Sequence, residues 1–147
     1  MKIAISGATG FIGTHLTAHL TGLGHRAVPL GRSAFRSQES LAAALAGCGA
    51  VVNLAGAPID RRWSDAYKKQ LYDSRIGTTR KLVAAINEMN PAPKVFVSAS
   101  AVGYYPDQGC YDEYTAVKGT SFLSDLCESW ERAGWFRGYG WRSPVSA

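Results

Sequence analysis

The stretch that decides the fold is KIAISGATGFIG, residues 2–13, at the start of the chain. Lys2–Ser6 is a short run rich in residues that favour β-structure, and Gly7, Gly10 and Gly13 follow it at a spacing of three. Apolar residues then recur at helical spacing until Gly22 and Gly24. The order of these segments predicts a strand, a tight glycine turn and a helix.

A glycine turn between a strand and a helix is suited to binding a dinucleotide. Gly7 permits the tight turn, Gly10 lets a pyrophosphate approach the backbone, and Gly13 allows the helix to pack closely on the strand. The free N–H groups and the positive end of the helix dipole then meet the phosphates. The alternative is a structural turn without a ligand. The predicted cofactor-binding residues of this turn are Gly7, Thr9, Gly10, Phe11, Ile12 and Gly13.

The end of the second predicted strand, Ala27–Leu30, indicates which dinucleotide is bound. NAD-binding proteins usually place Asp or Glu there to hold the ribose 2′-hydroxyl. This chain has Gly31, Arg32 and Ser33 instead, so an acid is absent and a guanidinium is available for a 2′-phosphate. The sequence therefore predicts NADP(H), with Arg32 as the recognition residue; the alternative is that Arg32 is an ordinary surface residue.

The remaining pattern alternates strands and helices. It predicts strands over Ala50–Leu54 and Lys94–Ser98, helices over Glu39–Ala46, Ser64–Asn90 (in two pieces) and Ser121–Arg132, a loop over Tyr104–Gly119, and at most a vestigial strand at Ala34–Arg36. Alternation of this kind predicts an α/β protein with a doubly wound parallel sheet, that is, a Rossmann-like fold.

Composition narrows the class of protein. The chain has 147 residues, 46% of them hydrophobic and 18% charged, which is typical of one globular domain. No apolar run approaches the roughly 20 residues of a membrane span. Because the first predicted strand begins at Lys2, we expect no signal peptide ahead of it. Three scattered cysteines favour a reducing cytoplasm over disulfides or a metal site. The net charge of +5 is dispersed, which favours a solvated helix face over a nucleic-acid interface.

Taken together, the motifs resemble the extended short-chain dehydrogenase/reductase superfamily. GATGFIG matches its phosphate loop, and Asn53–Gly56 (NLAG) matches a motif on the nicotinamide side. The resemblance implies backbone contact between the cofactor and both Ala55 and Gly56. Within the superfamily the chain is similar to an atypical, NAD(P)-dependent epimerase/dehydratase-like branch, often labelled sugar-nucleotide epimerase or cell-division inhibitor. The motifs that carry this likeness are Asn53–Ile59, Arg62-Trp63, Asp73–Ile76, Thr78–Arg80, Ser98–Tyr105, Tyr111–Glu113, Phe122-Leu123 and Trp130-Glu131.

The resemblance also implies a catalytic Ser, Tyr and Lys. Ser100 matches the Ser, which orients the substrate oxygen, because it follows the last predicted strand. Tyr114 and Lys118 have the YxxxK spacing of the pair in which Tyr exchanges the proton and Lys lowers the pKa of the Tyr. Gly119 follows at once, however, and we predict that the pair lies outside the helix.

A second alignment of the last helix leaves the pair out. If Glu131 marks the acidic position usual on that helix, Leu123 and Cys127 occupy the places of the Tyr and the Lys. Both alignments remain open at the level of sequence.

Branch members are about twice as long as this chain, and the resemblance implies that their substrate domain is absent here. We expect a dinucleotide-binding domain over residues 1–133 and a non-native or disordered tail over 134–147, where apolar periodicity is lost. A sheet edge left uncovered is expected to self-associate.

The leading functional hypothesis is an NADP(H)-dependent oxidoreductase or epimerase-like protein. Its partner is a small-molecule substrate, either a nucleotide sugar or a small carbonyl compound. The alternatives are a non-enzymatic NADP(H) sensor and an inactive truncated product.

Overall fold

Four parallel strands form a single sheet in the computed structural model, which describes residues 1–112 and 114–135. The strands are β1 (Lys2–Ser6), β2 (Arg26–Leu30), β3 (Ala50–Asn53) and β4 (Val95–Ser98). Their order in the sheet is β2-β1-β3-β4. Strand β2 therefore lies on one side of β1, and β3 and β4 lie on the other. The direction of the connections reverses between β1 and β3, and this is the topological switch point of the sheet.

Helices connect the strands. They are α1 (Phe11–Gly22), α2 (Gln38–Leu45), α3 (Asp65–Tyr72), α4 (Thr78–Glu88) and α5 (Phe122–Ala133). The long helical stretch predicted from the sequence is indeed in two pieces, with a π-helical turn at Asp73–Gly77 between α3 and α4. Serine side chains fix where three helices begin, because Ser37, Ser64 and Ser121 each accept a hydrogen bond from a backbone N–H of the first turn.

No strand forms at Ala34–Arg36, where the sequence predicted at most a vestigial one. Residues Arg32–Phe35 form a short 3₁₀ helix instead. The N–H of Ala34 donates to the carbonyl of Gly31 at 3.0 Å, and the N–H of Arg36 donates to Ser33 at 3.3 Å. These local hydrogen bonds pair the backbone N–H and C=O groups without a neighbouring strand. Helix α2 begins directly afterwards at its Ser37 cap, so few residues remain for a strand.

The two faces of the sheet pack against different helices. Successive strand residues point to opposite faces, so Ile3 and Ile5 share one face and Ala4 lies on the other. On the first face the strands pack against Leu16 and Leu20 of α1. On the second face they pack against apolar side chains of α2 and α4, namely Leu41, Leu45, Leu82, Ala85 and Ile86. Helices on both faces of a parallel sheet confirm the predicted fold class.

Strand β4 leaves apolar side chains uncovered on the α1 face. Val95 pairs with Ala50 and Val97 with Val52, so both valines share the face of Ile3 and Ile5. They are 48% and 50% exposed. Within residues 1–112 and 114–135, β4 pairs with β3 alone.

Helix α5 ends at Ala133. The predicted domain boundary after residue 133 stays a prediction, because most of the predicted tail, residues 136–147, lies outside the described residues. In the part of the chain that the structure describes, no helix is both long enough and apolar enough to cross a bilayer.

Candidate functional site

The glycine turn after β1 has a backbone that only glycine accommodates at its first position. Gly7 has a φ of +71°, in the left-handed region. A Cβ at Gly7 would also lie 2.7 Å from the carbonyl oxygen of Leu54, just beyond β3. The turn therefore packs directly against the backbone that follows β3. A side chain at Gly7 would push the turn and this backbone apart.

Gly13 sets the distance between α1 and the turn. It is buried, and an added Cβ would lie 2.2 Å from the carbonyl oxygen of Gly7 and 2.7 Å from the Cα of Ala8. No real Cβ makes such contacts, so α1 can begin this close to the turn only because residue 13 is glycine.

The N-terminus of α1 is open to a ligand. The residue before the helix, Gly10, has no side chain with which to cap the first N–H groups. Thr9 and Gly10 are exposed, and Phe11 and Ile12 are 83% and 64% exposed. Uncapped N–H groups at the positive end of a helix attract phosphate. The turn thus fits the pyrophosphate of a dinucleotide in both shape and charge.

Arg32 lies beside this turn. Leu30 is paired with Ser6, so β2 ends next to the residue from which the glycine turn departs. Arg32 is exposed at the start of the 3₁₀ helix, and no carboxylate of the described residues forms an ion pair with it. Its guanidinium is therefore free to bind an anion at this edge of the sheet.

A buried polar network joins the carboxyl ends of the strands. The Ser6 hydroxyl donates to Oδ1 of Asn53 at 2.6 Å, and Nδ2 of Asn53 donates to Thr79 at 2.8 Å and Ser98 at 3.2 Å. Nε1 of Trp130 donates to the same Thr79 oxygen at 3.1 Å. The network holds β1, β3 and β4 against α4 and α5, and so fixes the edge from which the site residues extend.

Ala55 and Gly56 continue from β3 at this edge. Ala55 is half-buried and Gly56 is exposed. A Cβ at Gly56 would lie 3.0 Å from Cζ of Arg75, so the Arg75 guanidinium lies against the Gly56 backbone. Backbone contact between these two residues and a cofactor stays a prediction, and their position next to the Gly7 turn agrees with it.

Ser100 follows β4 and is exposed. Its hydroxyl donates to Oε1 of Glu131 on α5 at 2.5 Å. The structure thus brings together Ser100 and the acid that marks the acidic position of the last helix in the second alignment.

Tyr114 and Lys118 lie outside α5, on the loop that precedes it, as the sequence predicted. The Tyr114 side chain is 84% exposed, and its backbone N–H donates to Oδ1 of Asp112 at 3.0 Å. Hydrogen bonds from Thr115 and from this N–H lower the pKa of the Asp112 carboxyl. These contacts describe a surface turn, with the Tyr hydroxyl in solvent.

Lys118 is engaged by two carboxylates of α5. Its Nζ lies 2.6 Å from Asp125 and 2.8 Å from Glu128. Hydrogen bonds with these carboxylates raise the pKa of Lys118 and lower that of Glu128. The assignment of Tyr114 and Lys118 as a catalytic pair on one helical face therefore does not fit the structure, because a loop holds the Tyr and surface acids hold the Lys.

Leu123 and Cys127, the alternative occupants of those places, line a cavity of about 640 Å³ on one side of α5. The opposite walls include Arg75, Ala101 and Tyr105. Burial raises the pKa of the Cys127 thiol, which therefore stays protonated. The sequence alone assigned no role to Arg75. Its place in the motif Asp73–Ile76 is the signal that could have identified it.

Comparison with known proteins agrees with this geometry. The sequence model of the NAD dependent epimerase/dehydratase family matches residues 3–121. The chain is similar to the human epimerase family protein SDR39U1, with 35% identity over 99% of this chain and 53% of the human protein. It is also similar to the chloroplastic SDR39U1 homolog of Arabidopsis thaliana, with 38% identity over 89% of this chain and 43% of the relative.

Solved structures give the same result. The crystal structure of human SDR39U1 (isoform 2) with NADPH superimposes with a TM-score of 0.83 at 36% identity, covering 95% of this chain and 50% of the human one. UDP-N-acetylglucosamine 4-epimerase from Bacillus cereus superimposes with a TM-score of 0.74 at 25% identity, covering 91% of this chain and 48% of the epimerase. The chain spans about half the length of the curated relatives it matches.

Proposed function

The chain belongs to the NAD dependent epimerase/dehydratase family, and from this premise we propose that it binds NADP(H) as the cofactor domain of an oxidoreductase or epimerase-like protein. The glycine turn holds the pyrophosphate through the uncapped N–H groups of α1. Arg32 binds the 2′-phosphate. Bound NADP(H) supplies hydride donor or acceptor chemistry, and the residues of this chain position the two reactants.

The observation that carries the choice of NADP(H) is the position of Arg32. It follows β2 at the edge where an NAD-specific protein places an acid, and neither Gly31 nor Ser33 is acidic. Its guanidinium has no ion pair within the described residues that a 2′-phosphate would have to displace. A charge-assisted contact of this kind contributes about 1.5–3 kcal/mol, or roughly ten- to a hundred-fold in affinity.

Titration of NADPH and NADH against wild type, Arg32→Ala and the control Arg80→Ala tests the choice of cofactor. Arg80 is an exposed arginine of α4, so its removal changes the net charge equally. We expect Arg32→Ala to lose about ten- to a hundred-fold in affinity for NADPH and little for NADH, with Arg80→Ala close to wild type. Equal wild-type affinity for the two nucleotides would contradict NADP(H) specificity.

Within the proposed enzyme, Ser100 orients the substrate oxygen. Its hydroxyl donates to Oε1 of Glu131 at 2.5 Å, so its oxygen lone pairs are free to accept from a substrate hydroxyl, and the hydroxyl donates to a substrate carbonyl by turning away from Glu131. The proposed substrate is a nucleotide sugar or a small carbonyl compound. Loss of turnover in Ser100→Ala with NADPH affinity intact is the expected result.

A non-enzymatic NADP(H) sensor is the second candidate, and the identity of Leu123 and Cys127 favours it. These residues line the cavity, and in the second alignment they occupy the places of the family's Tyr and Lys. Neither a leucine nor a neutral, buried thiol exchanges protons efficiently near neutral pH. NADPH oxidation with a panel of carbonyl compounds discriminates the two. NADPH oxidation with any of them would contradict the sensor, whereas tight NADPH binding without oxidation favours a sensor or an inactive truncated product over a carbonyl reductase.

A further inference from the structure

The cavity beside α5 has the size and walls of a small-molecule site. Its volume of about 640 Å³ is within the range of ligand pockets, roughly 300–1,000 Å³. Apolar side chains make up much of the lining, among them Ile59, Val102, Leu123 and Leu126. Such walls favour a compact ligand with an apolar body over a strongly hydrated one.

Two tyrosines give this lining a flat section. Tyr105 and Tyr111 both line the cavity, and their rings are stacked with centroids 5.6 Å apart and planes 7° from parallel. Stacked rings present a rigid apolar edge at small entropic cost. An aromatic or branched ligand body fits this wall.

Arg75 brings a positive charge to the cavity. Its Cζ lies 5.3 Å from the centroid of the Trp130 ring, and the guanidinium lies against the Gly56 backbone. Nη1 is 3.5 Å from the carbonyl oxygen of Leu71, at the limit of a hydrogen bond. No carboxylate in the described part of the chain lies within ion-pair distance of Arg75, and the other charged residue of the lining, Asp107, is exposed.

The guanidinium is therefore partly desolvated without a counter-ion. Burial lowers the pKa of Arg75, because removing water penalises the charged form. The group nevertheless stays protonated at any physiological pH. Most of its donors have no partner among the described residues, and an anion that entered the cavity would satisfy them and the charge together.

We propose that this cavity is the substrate site and that Arg75 binds a carboxylate of the substrate, which is a small carbonyl compound with an apolar body. The inference rests on the proposed function and names its substrate class. One guanidinium matches the single charge of a carboxylate in bidentate geometry. A phosphate monoester carries about −1.5 to −2 charges, so it would leave charge unmatched beside apolar walls.

The contact of Arg75 with Gly56 puts this site beside the cofactor. Gly56 belongs to the segment from which we expect backbone contact with the cofactor, so an anion on Arg75 lies next to the nicotinamide side. A carbonyl adjacent to the carboxylate is then close to the hydride position.

Calorimetric titration with three matched probes tests the proposal: phenylpyruvate, the neutral ketone 1-phenylpropan-2-one, and phenyl phosphate. Each is titrated with and without NADPH into wild type, Arg75→Gln, Arg75→Lys and the control Arg80→Gln. We expect wild type to bind phenylpyruvate at least about ten-fold more tightly than the ketone and phenyl phosphate. Arg75→Gln abolishes that preference, Arg75→Lys retains part of it, and Arg80→Gln leaves it unchanged.

Several outcomes overturn the proposal. Equal wild-type affinity for the acid and the ketone excludes a carboxylate site and needs no variant to fold. Tighter binding of phenyl phosphate excludes the carboxylate assignment, and a parallel loss of NADPH and phenylpyruvate in Arg75→Gln makes Arg75 a cofactor residue. Phenylpyruvate binding through Arg75 in a protein that does not bind NADPH would support the carboxylate site while contradicting the proposed function.

Discussion

The side-chain amide of Asn53 and the hydroxyl of Thr79 are joined by a buried hydrogen bond of 2.8 Å that connects the end of β3 to α4. Asn53 also accepts from Ser6, and Thr79 also accepts from Trp130. Both residues are fully buried. Ser6 and Asn53 depend on the network for their side-chain partners, because bulk water does not reach this depth. Thr79 also donates to the carbonyl oxygen of Arg75 at 2.7 Å.

Removal of the Asn53 amide is expected to destabilise the fold. In Asn53→Ala, Ser6 and Thr79 lose partners while buried, at a cost of about 2–4 kcal/mol in the free energy of unfolding. Urea unfolding of this variant and of Asn87→Ala, an exposed asparagine of α4, provides the measurement. Similar unfolding midpoints for the two variants would show that the network contributes little.

Gly13→Ala should impair the cofactor site through the backbone. The new Cβ would lie 2.2 Å from the Gly7 carbonyl oxygen, so α1 must move away from the turn that holds the pyrophosphate. We expect at least a ten-fold loss of NADPH affinity, about 1.4 kcal/mol, and a stability cost of about 1–3 kcal/mol.

Gly22→Ala is the matched control on the same helix. A Cβ at Gly22 meets nothing within 4 Å, so the substitution should leave NADPH affinity unchanged and stabilise α1 by at most about 0.5–1 kcal/mol. Fluorescence titration and thermal unfolding of both variants decide the matter. NADPH affinity unaffected by Gly13→Ala would mean that the turn does not bind the pyrophosphate.

Lys118→Met should change stability in a pH-dependent way and leave NADPH binding unchanged. Because the pKa of Glu128 is lowered, its contribution is present above the unfolded-state carboxyl pKa and is lost as pH falls through the folded value. Because the pKa of Lys118 is raised, its contribution is present below the unfolded-state lysine pKa and is lost as pH rises through the folded value.

Thermal unfolding from about pH 2 to pH 11, a range that includes the ordinary pKa values of glutamate and lysine side chains, measures this effect. The melting temperatures of wild type and Lys118→Met should differ slightly near neutral pH and converge in acid. Tyr114→Phe serves as a companion variant with the melting temperature and NADPH affinity of wild type. A large drop in turnover in Tyr114→Phe would restore Tyr114 as the proton donor.

Much of the fold could be predicted from the sequence, because local signals and long-range packing agree there. Glycine spacing fixed the β1–α1 turn, and proline and serine positions marked helix ends. The region of Arg32–Phe35 could not be predicted, since a 3₁₀ turn and a short strand have the same apolar content. The phosphate-binding glycine turn could also be predicted, because its residues are contiguous in the sequence.

The rest of the site depends on residues distant in sequence. Arg75, which lines the cavity, lies in the π-helical turn between α3 and α4. Ser100 and Glu131, which are hydrogen-bonded, are 31 positions apart in the chain. The YxxxK spacing of Tyr114 and Lys118 shows why spacing alone is not sufficient, since it places two side chains on one face only where a helix exists. Here the helix begins at Phe122.

The uncovered face of β4 is expected to mediate self-association of this chain. Val95 and Val97 form an apolar row on the face of the sheet that α1 covers only in part, at a strand that pairs on one side among the described residues. Exposed apolar edges of this kind associate with a second copy. Val95→Lys/Val97→Lys should therefore weaken association, because two charges cannot be buried in an apolar contact.

Val117→Lys is the control, since this valine is 57% exposed but lies on the loop before α5 and not on a strand. Sedimentation velocity over a range of protein concentrations measures the effect. We expect concentration-dependent association in wild type and Val117→Lys and its loss in the β4 variant, whereas a wild-type chain that stays monomeric throughout would rule out an interface at β4.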